Sequence, residues 1–192
     1  MEPVTITTGR LRLRTVGPGD TDAVYAAAQD PDIQRWTTIP SPYLPEHAHG
    51  FTERTVPRGW ADGSMFTFGV FLPGGDLAGM LSITRRGPGE GEVGFWAAGE
   101  HRGRGYVTEA VVATARWAFA ELPLDRLEWR AEVGNAGSRA VAERAGFRIE
   151  GTLRSAVLNK GVRRDCWVGS LLPSDVGLSS AAPYVPAPAR PR

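Results

Sequence analysis

The sequence predicts a single domain of the α/β (α+β) class, with about seven strands in one central sheet and about four flanking helices. Three observations carry that expectation. Short runs such as "TGRLRLRTV" alternate polar and apolar residues, the period of a half-buried strand. The longer run "YVTEAVVATARWAFAELP" places apolar residues at 107, 111, 112, 115, 118, 119 and 122, the spacing of a broad helical face. The two kinds of run are also interleaved along the chain, which is the ordering of a mixed domain.

Taken in order, Leu11 and Leu13 share one face of a first strand while Arg10, Arg12 and Arg14 take the other. "GPGD" then turns the chain, with Asp20 as an expected cap for a helix over "TDAVYAAAQDPDIQRW". Pro40, Pro42 and Pro45 interrupt, and Pro45 with Glu46 opens a second helix running towards Trp60. "MFTFGVFL" and "DLAGMLSIT" read as strands joined by a "PGG" hairpin, and "GEVGFWAA" as a third strand beside them. The long helix follows, stopped by Pro123. "DRLEWRAEV" returns as a strand, "SRAVAERAGF" as a short helix ending at Gly146, and "RIEGTLRSAVL" and "DCWVGSLL" as two last strands around "NKG". Past Pro173 the composition shifts to Ser, Ala and Pro, so the domain is assigned to residues 1–175 and residues 176–192 to a tail expected to be disordered.

Composition narrows the function. Twenty-two basic and 21 acidic side chains leave a net charge of +1, which gives no broad footprint for nucleic acid. The single cysteine, Cys166, excludes an internal disulfide and fits a reducing compartment. No apolar run approaches the roughly 18 residues of a membrane span. The alternating N-terminus is unlike a secretory signal. The expectation is a cytoplasmic protein with neither nucleic acid nor membrane as partner.

The stretch "EHRGRGYVTEA" raises the functional question. Gly103 and Gly105 lie between a predicted strand and a predicted helix, where unpaired amides and the helix dipole favour an anion. Glycines let the backbone approach a phosphate closely and turn successive amides inward. The spacing is neither a dinucleotide fingerprint nor a P-loop.

Here the chain resembles a known family. Arg102-x-x-Gly105-x-Val107 is similar to the R/Q-x-x-G-x-G/A motif of the GCN5-related N-acetyltransferases (GNAT). "GEVGFWAAGEHRGRGYVTEAVVATARWAF", "NAGSRAVAERAGFRIEGTLR" and "LNKGVRRDCWVGSLLPSD" resemble its RimJ/RimL-type ribosomal-protein acetyltransferase branch, over about residues 8–175. The resemblance implies a mixed, mostly antiparallel sheet with a V-shaped splay after the fourth strand. It implies acetyl-CoA as acyl-CoA co-substrate, without a metal. The residues it points to for holding the co-substrate are Phe95, Trp96, Arg102, Gly103, Arg104, Gly105, Tyr106, Val107, Asn135 and Ser138. Two departures stand out. Val107 replaces the usual small residue and would crowd the phosphates. Ala142 stands where many members of the superfamily carry a tyrosine thought to protonate the leaving thiolate, and Ser138 matches the serine proposed for that role in the branch.

Transfer of an acyl group to an amine needs a base, an oxyanion donor and help for the leaving sulfur. Glu92 shares a strand face with Gly94 and Trp96 and is the candidate base, directly or through a water; its structural alternative is a strand-end contact. An amide near Phe95 or Trp96 is the implied oxyanion donor. Ser138 is the candidate partner of the sulfur, with a helix-cap role for Ser138 or Asn135 as its alternative. Trp36, Tyr43, Phe51 and Trp60 fall in the two-helix region where the resemblance puts the acceptor and are weak candidates for its pocket. His47 and His49 lack a third metal ligand in sequence, His101 is expected to be solvated, and Cys166 has no visible base. The leading expectation is N-acetyl transfer to a primary amine, on a protein N-terminus or a small molecule. A different acyl-CoA such as succinyl-CoA and a non-catalytic acyl-CoA sensor are the alternatives. The branch often forms homodimers.

Overall fold

The computed structural model describes residues 1–188; the last four residues of the predicted tail lie outside the described residues. Among the described residues, eight strands form one sheet in the order β1-β2-β3-β4-β5-β6-β8-β7. They are β1 (Ile6–Thr7), β2 (Arg12–Arg14), β3 (Met65–Phe71), β4 (Leu77–Gly87), β5 (Gly89–Ala97), β6 (Leu124–Glu132), β7 (Arg148–Asn159) and β8 (Val162–Leu171). The strand beyond the seven expected is the two-residue β1. Every neighbouring pair is antiparallel except β5–β6. The parallel pair needs a crossover, and the long helix α5 (Tyr106–Glu121) supplies it. Among the described residues no helix is long and apolar enough to cross a membrane.

The first expected helix is divided into α1 (Thr21–Ala28) and α2 (Pro31–Trp36). Pro31 cannot continue a helix but suits its first position, and the Asp30 carboxylate accepts from the amides of Asp32 and Ile33 at 2.8 and 3.1 Å. Asp20 precedes α1 as expected, but its carboxylate is taken by Arg14 and the Gly17 amide and makes no cap bond to α1. The second expected helix runs as α3 (Pro45–Gly50), a π-helical turn (Phe51–Thr55) and α4 (Val56–Asp62). The last helix, α6 (Ala136–Arg144), ends where Gly146 takes φ 97° and Phe147 N–H reaches back to Ala142 O.

Strand alternation gives the sheet two apolar faces. Phe66, Phe68, Leu81, Ile83 and Val93 are buried on the face covered by α5, where Trp60 and Trp117 pack edge-on against Phe66 and Phe68 at 5.2–5.6 Å. Met80 and Trp96 lie on the other face, against α1 and the Tyr43–Phe51 segment. Past residue 175, Ser180 Oγ and the amides of Ala181 and Ala182 donate to Asp125 Oδ1 at 2.7–3.0 Å, so the first part of the tail has a defined anchor.

Candidate active site at the splayed strands

β5 and β6 pair from Gly89↔Leu124 to Val93↔Trp129 and then part. Beyond that point Gly94–Ala97 pair with β4, and Arg130–Glu132 with β8. This is the V-shaped splay that the resemblance implied. The Ala98 amide donates to Ala78 O at 3.0 Å. Alternation along the strand then turns the Trp96 amide towards β4 and the Phe95 amide into the opening. Of the two oxyanion donors expected from sequence, only that of Phe95 faces the gap.

The glycine loop lies between β5 and α5. Gly103 and Gly105 have φ of 75° and 77°, the left-handed region that side chains rarely adopt. A Cβ on Gly103 would meet nothing within 4 Å, so conformation alone asks for glycine there. Among the described residues none accepts a hydrogen bond from the backbone N–H of Gly103, Arg104, Gly105, Tyr106 or Val107. These donors lie at the N-terminus of a 16-residue helix, the positive end of its dipole.

Of the loop's two arginines, Arg104 is exposed while Arg102 is committed elsewhere. Arg102 reaches back to α2, with Asp30 Oδ1 at 2.8 Å and Asp32 Oδ2 at 3.1 Å. Burial would raise the Asp30 pKa, but Arg102 and the capped amides outweigh it and hold the carboxyl below its ordinary range. On the other flank Arg10 pairs with Glu109 at 2.6 Å, donates to Arg104 O at 3.1 Å and lies 4.9 Å over the Tyr106 ring. Val107 does not crowd the loop. Its side chain is buried against Gly79 on β4, where any Cβ would meet Val107 Cγ2 at 3.1 Å. His101 is not solvated as expected: both ring nitrogens are buried without a hydrogen bond among the described residues, Nε2 lies 3.4 Å from Glu100 Oε1, and the ring is edge-on to Tyr106 at 6.3 Å.

Across the opening, Asn135 is the cap of α6, its Oδ1 accepting from Ser138 N–H at 3.1 Å. Ser138 is therefore not the cap, and its Oγ instead accepts from the Trp129 indole N–H at 3.0 Å. Ala142, one turn further on, is fully buried. Glu92 stands beside Val93, the last paired residue of β5, with its side chain on the opposite face of the sheet. Its carboxylate is 3.0 Å from Arg86 and 3.9 Å from Arg130.

The acceptor candidates separate. Tyr43 and Phe51 line an apolar hollow with Ile39, Met80 and Trp96. Trp60, 1% exposed, belongs to the core and its indole N–H bonds Thr67 O. Trp36 lies over the β6–α6 loop, near Gly134, beneath the Arg35 guanidinium. His47 accepts from the Leu44 amide and His49 pairs with Glu53, so the two rings serve different local contacts. Burial pushes the Cys166 thiol up, and it donates to Trp167 O. Sequence reasoning missed Trp129, Asp30 and Glu132. Glu132 is buried at the end of β6 and chelated by Arg35 at 2.6 and 3.0 Å, with Asn159 of the last hairpin beside it. Their partners lie 9, 72 and 97 residues away; alternation with Leu127 and Ala131 marks Trp129 as facing inward, but Glu132 is buried out of phase with it, so no local pattern announces that carboxylate.

Residues 10–148, which hold both the glycine loop and the splay, match the family model described as Acetyltransferase (GNAT) domain. The chain belongs to the GNAT acetyltransferase family. Within it, YdaF of Bacillus subtilis (strain 168), which carries the name of a ribosomal N-acetyltransferase, is 37% identical over 133 residues, or 67% of this chain and 72% of YdaF. A solved structure from Vibrio cholerae, described as a ribosomal-protein-serine acetyltransferase, superposes with a TM-score of 0.79 at 26% identity, over 88% of this chain and 98% of that one. RimJ of Mycobacterium smegmatis, in complex with CoA-disulfide, shares the fold with a TM-score of 0.78 at 24% identity, covering 93% of each chain. YdaF and the Vibrio cholerae protein support the RimJ/RimL-type branch of this GNAT family.

Proposed function

We propose that this GNAT protein transfers an acetyl group from acetyl-CoA to a primary amine by direct attack within a ternary complex. The observation that carries the reading is the row of unpartnered amides from Gly103 to Val107, at the head of α5 and beside the splay. Such donors suit the pyrophosphate of CoA, and RimJ, with the same fold, is a CoA complex.

In this reading the loop's amides hold the pyrophosphate, while Arg102 and Arg10 fix the loop from either side without spending their charge on the ligand. The Asn135 carboxamide keeps its Nδ2 free for the pantetheine amides, since Oδ1 is used by the cap. The Phe95 amide, turned into the gap, stabilises the oxyanion formed when the amine nitrogen attacks the thioester carbon. A lysine-like alkyl amine has a pKa near 10.4 and a chain N-terminus about 7.7–8.0, so at neutral pH either is mostly protonated and must lose a proton before attack. Glu92, at the apex of the splay, accepts that proton directly or through a water. The C–S bond then breaks, Ser138 hydrogen-bonds the departing sulfur, and CoA leaves as its thiol with a proton that balances the one lost by the amine. Tyr43 and Phe51 form an apolar wall for the acceptor; a protein N-terminus or a small-molecule amine would meet it, and we place the protein in the cytoplasm.

An acceptor panel assayed with acetyl-CoA and succinyl-CoA tests this, read by thiol release and acceptor mass together. The reading predicts one thiol released for each acetylated amine. Tight CoA binding with no acylation of any amine would make the protein an acyl-CoA sensor instead.

A further inference from the structure

The hydrogen bond between Trp129 and Ser138 carries an assignment beyond the two candidate catalytic residues. An indole nitrogen is a donor only, so it occupies a lone pair of Ser138 Oγ and never competes for the hydroxyl proton. The Asn135 carboxamide fixes the Ser138 main chain from the other side. With its oxygen taken by Trp129, the hydroxyl hydrogen has to point away from the indole. Trp129 is 1% exposed and pairs with Val93 at the last rung before β5 and β6 part, so this oriented hydroxyl stands at the apex of the splay.

We infer that Trp129 is a positioning residue for acyl transfer: its N–H sets the Ser138 hydroxyl as a donor towards the leaving sulfur and strengthens that donation. Hydrogen bonds in such a chain polarise one another, so a proton donated into Oγ makes its own O–H the better donor. No proton needs to leave Ser138 for this. As the C–S bond breaks, the electron pair passes to sulfur, the hydroxyl hydrogen bond stabilises it, and the proton that completes the thiol comes from the amine by way of solvent. The inference rests on the function proposed above, specifically on Ser138 meeting the sulfur.

A double-mutant cycle tests it with Trp129→Phe, which keeps an aromatic ring but no N–H. In the Ser138 enzyme, Trp129→Phe is expected to lower kcat roughly fivefold, the size of one ordinary hydrogen bond, with KM for acetyl-CoA little changed. In a Ser138→Ala background the same change is expected to do nothing further. Equal losses in both backgrounds would overturn the inference and leave Trp129 as packing, with the Ser138 role intact. A Ser138→Ala enzyme at full speed would remove the Ser138 role and this inference together, without touching acetyl transfer itself. If Trp129→Phe does not fold, the indole N–H resonance of Trp129 in the full chain serves instead. It is expected to move on CoA binding and on Ser138→Ala, and an indole signal indifferent to both would overturn the assignment.

Discussion

Arg102 and Asp30, 72 residues apart in sequence, are joined at 2.8 Å, and this contact ties the glycine loop to the first turn of α2. The arginine of the motif is thus a strut in the structure. If it serves only that purpose, Asp30→Asn and Arg102→Gln should each raise KM for acetyl-CoA several-fold, with kcat nearly kept. Arg102→Gln also loses the contact to Asp32, so it should be the more damaging of the two, and the double variant should be no worse than Arg102→Gln alone. Asp30→Asn with unchanged KM, beside a damaged Arg102→Gln, would instead make Arg102 a direct phosphate ligand. Steady-state kinetics on the three variants separates the two cases.

Gly105 should tolerate neither charge nor a side chain. At φ 77° an alanine costs about 1–2 kcal/mol of backbone strain, so Gly105→Ala should lose a few degrees of Tm and part of its CoA affinity. Gly105→Glu adds a carboxylate beside the unpaired amides and should abolish CoA binding while the fold persists. Calorimetric titration with CoA on folded protein checks both.

The aromatic residues of the two-helix region should divide by role. Trp60→Ala removes a fully buried ring from the cluster with Phe66, Phe68 and Trp117, and should cost about 3–5 kcal/mol of stability. Phe51→Ala, at the wall of the hollow, should cost less and raise KM for the acceptor. Denaturant melts together with acceptor KM values distinguish them.

The bridge between α2 and the end of β6 gives a pH dependence with a defined sign. Arg35 holds the Glu132 carboxyl below its ordinary range against the opposing effect of burial, with Asn159 assisting. A carboxyl with a depressed folded pKa stabilises the fold above its unfolded value, near 4.3, and that contribution fades as pH falls through the folded value. Glu132→Gln should therefore lower stability at pH 7 and flatten the acid limb of the stability profile. Chemical melts between about pH 3 and 7 read this.

Much of the fold was legible because period-two and helical spacings belong to local sequence. The strands from Met65 to Ala97, the helix from Tyr106 and the closing hairpin all follow from it. The break at Pro31 was visible in principle, since Asp-Pro marks a cap as readily as it interrupts a helix. The GRG loop could be found because its requirement is conformational, and glycine declares it. What could not be read was pairing at a distance. Nothing near Val107 announces that Gly79 makes room for its side chain, and nothing near Arg102 announces Asp30. Trp60 and Tyr43 look equally suited to a pocket until the sheet assigns one to the core and the other to the hollow.

The proposed reaction passes the acetyl group directly from acetyl-CoA to an amine, with no acetylated protein on the way. Cys166, the one thiol of the chain, is fully buried and its pKa is pushed up, which leaves it a poor nucleophile. Rapid quenching of the protein with isotopically labelled acetyl-CoA, followed by mass spectrometry of protein and acceptor, measures where the acetyl group goes. Direct transfer puts label on the acceptor nitrogen, in step with thiol release, and none on the protein when the acceptor is withheld. A stoichiometric burst of acetylated protein without acceptor, which then passes its label to the amine, would contradict it.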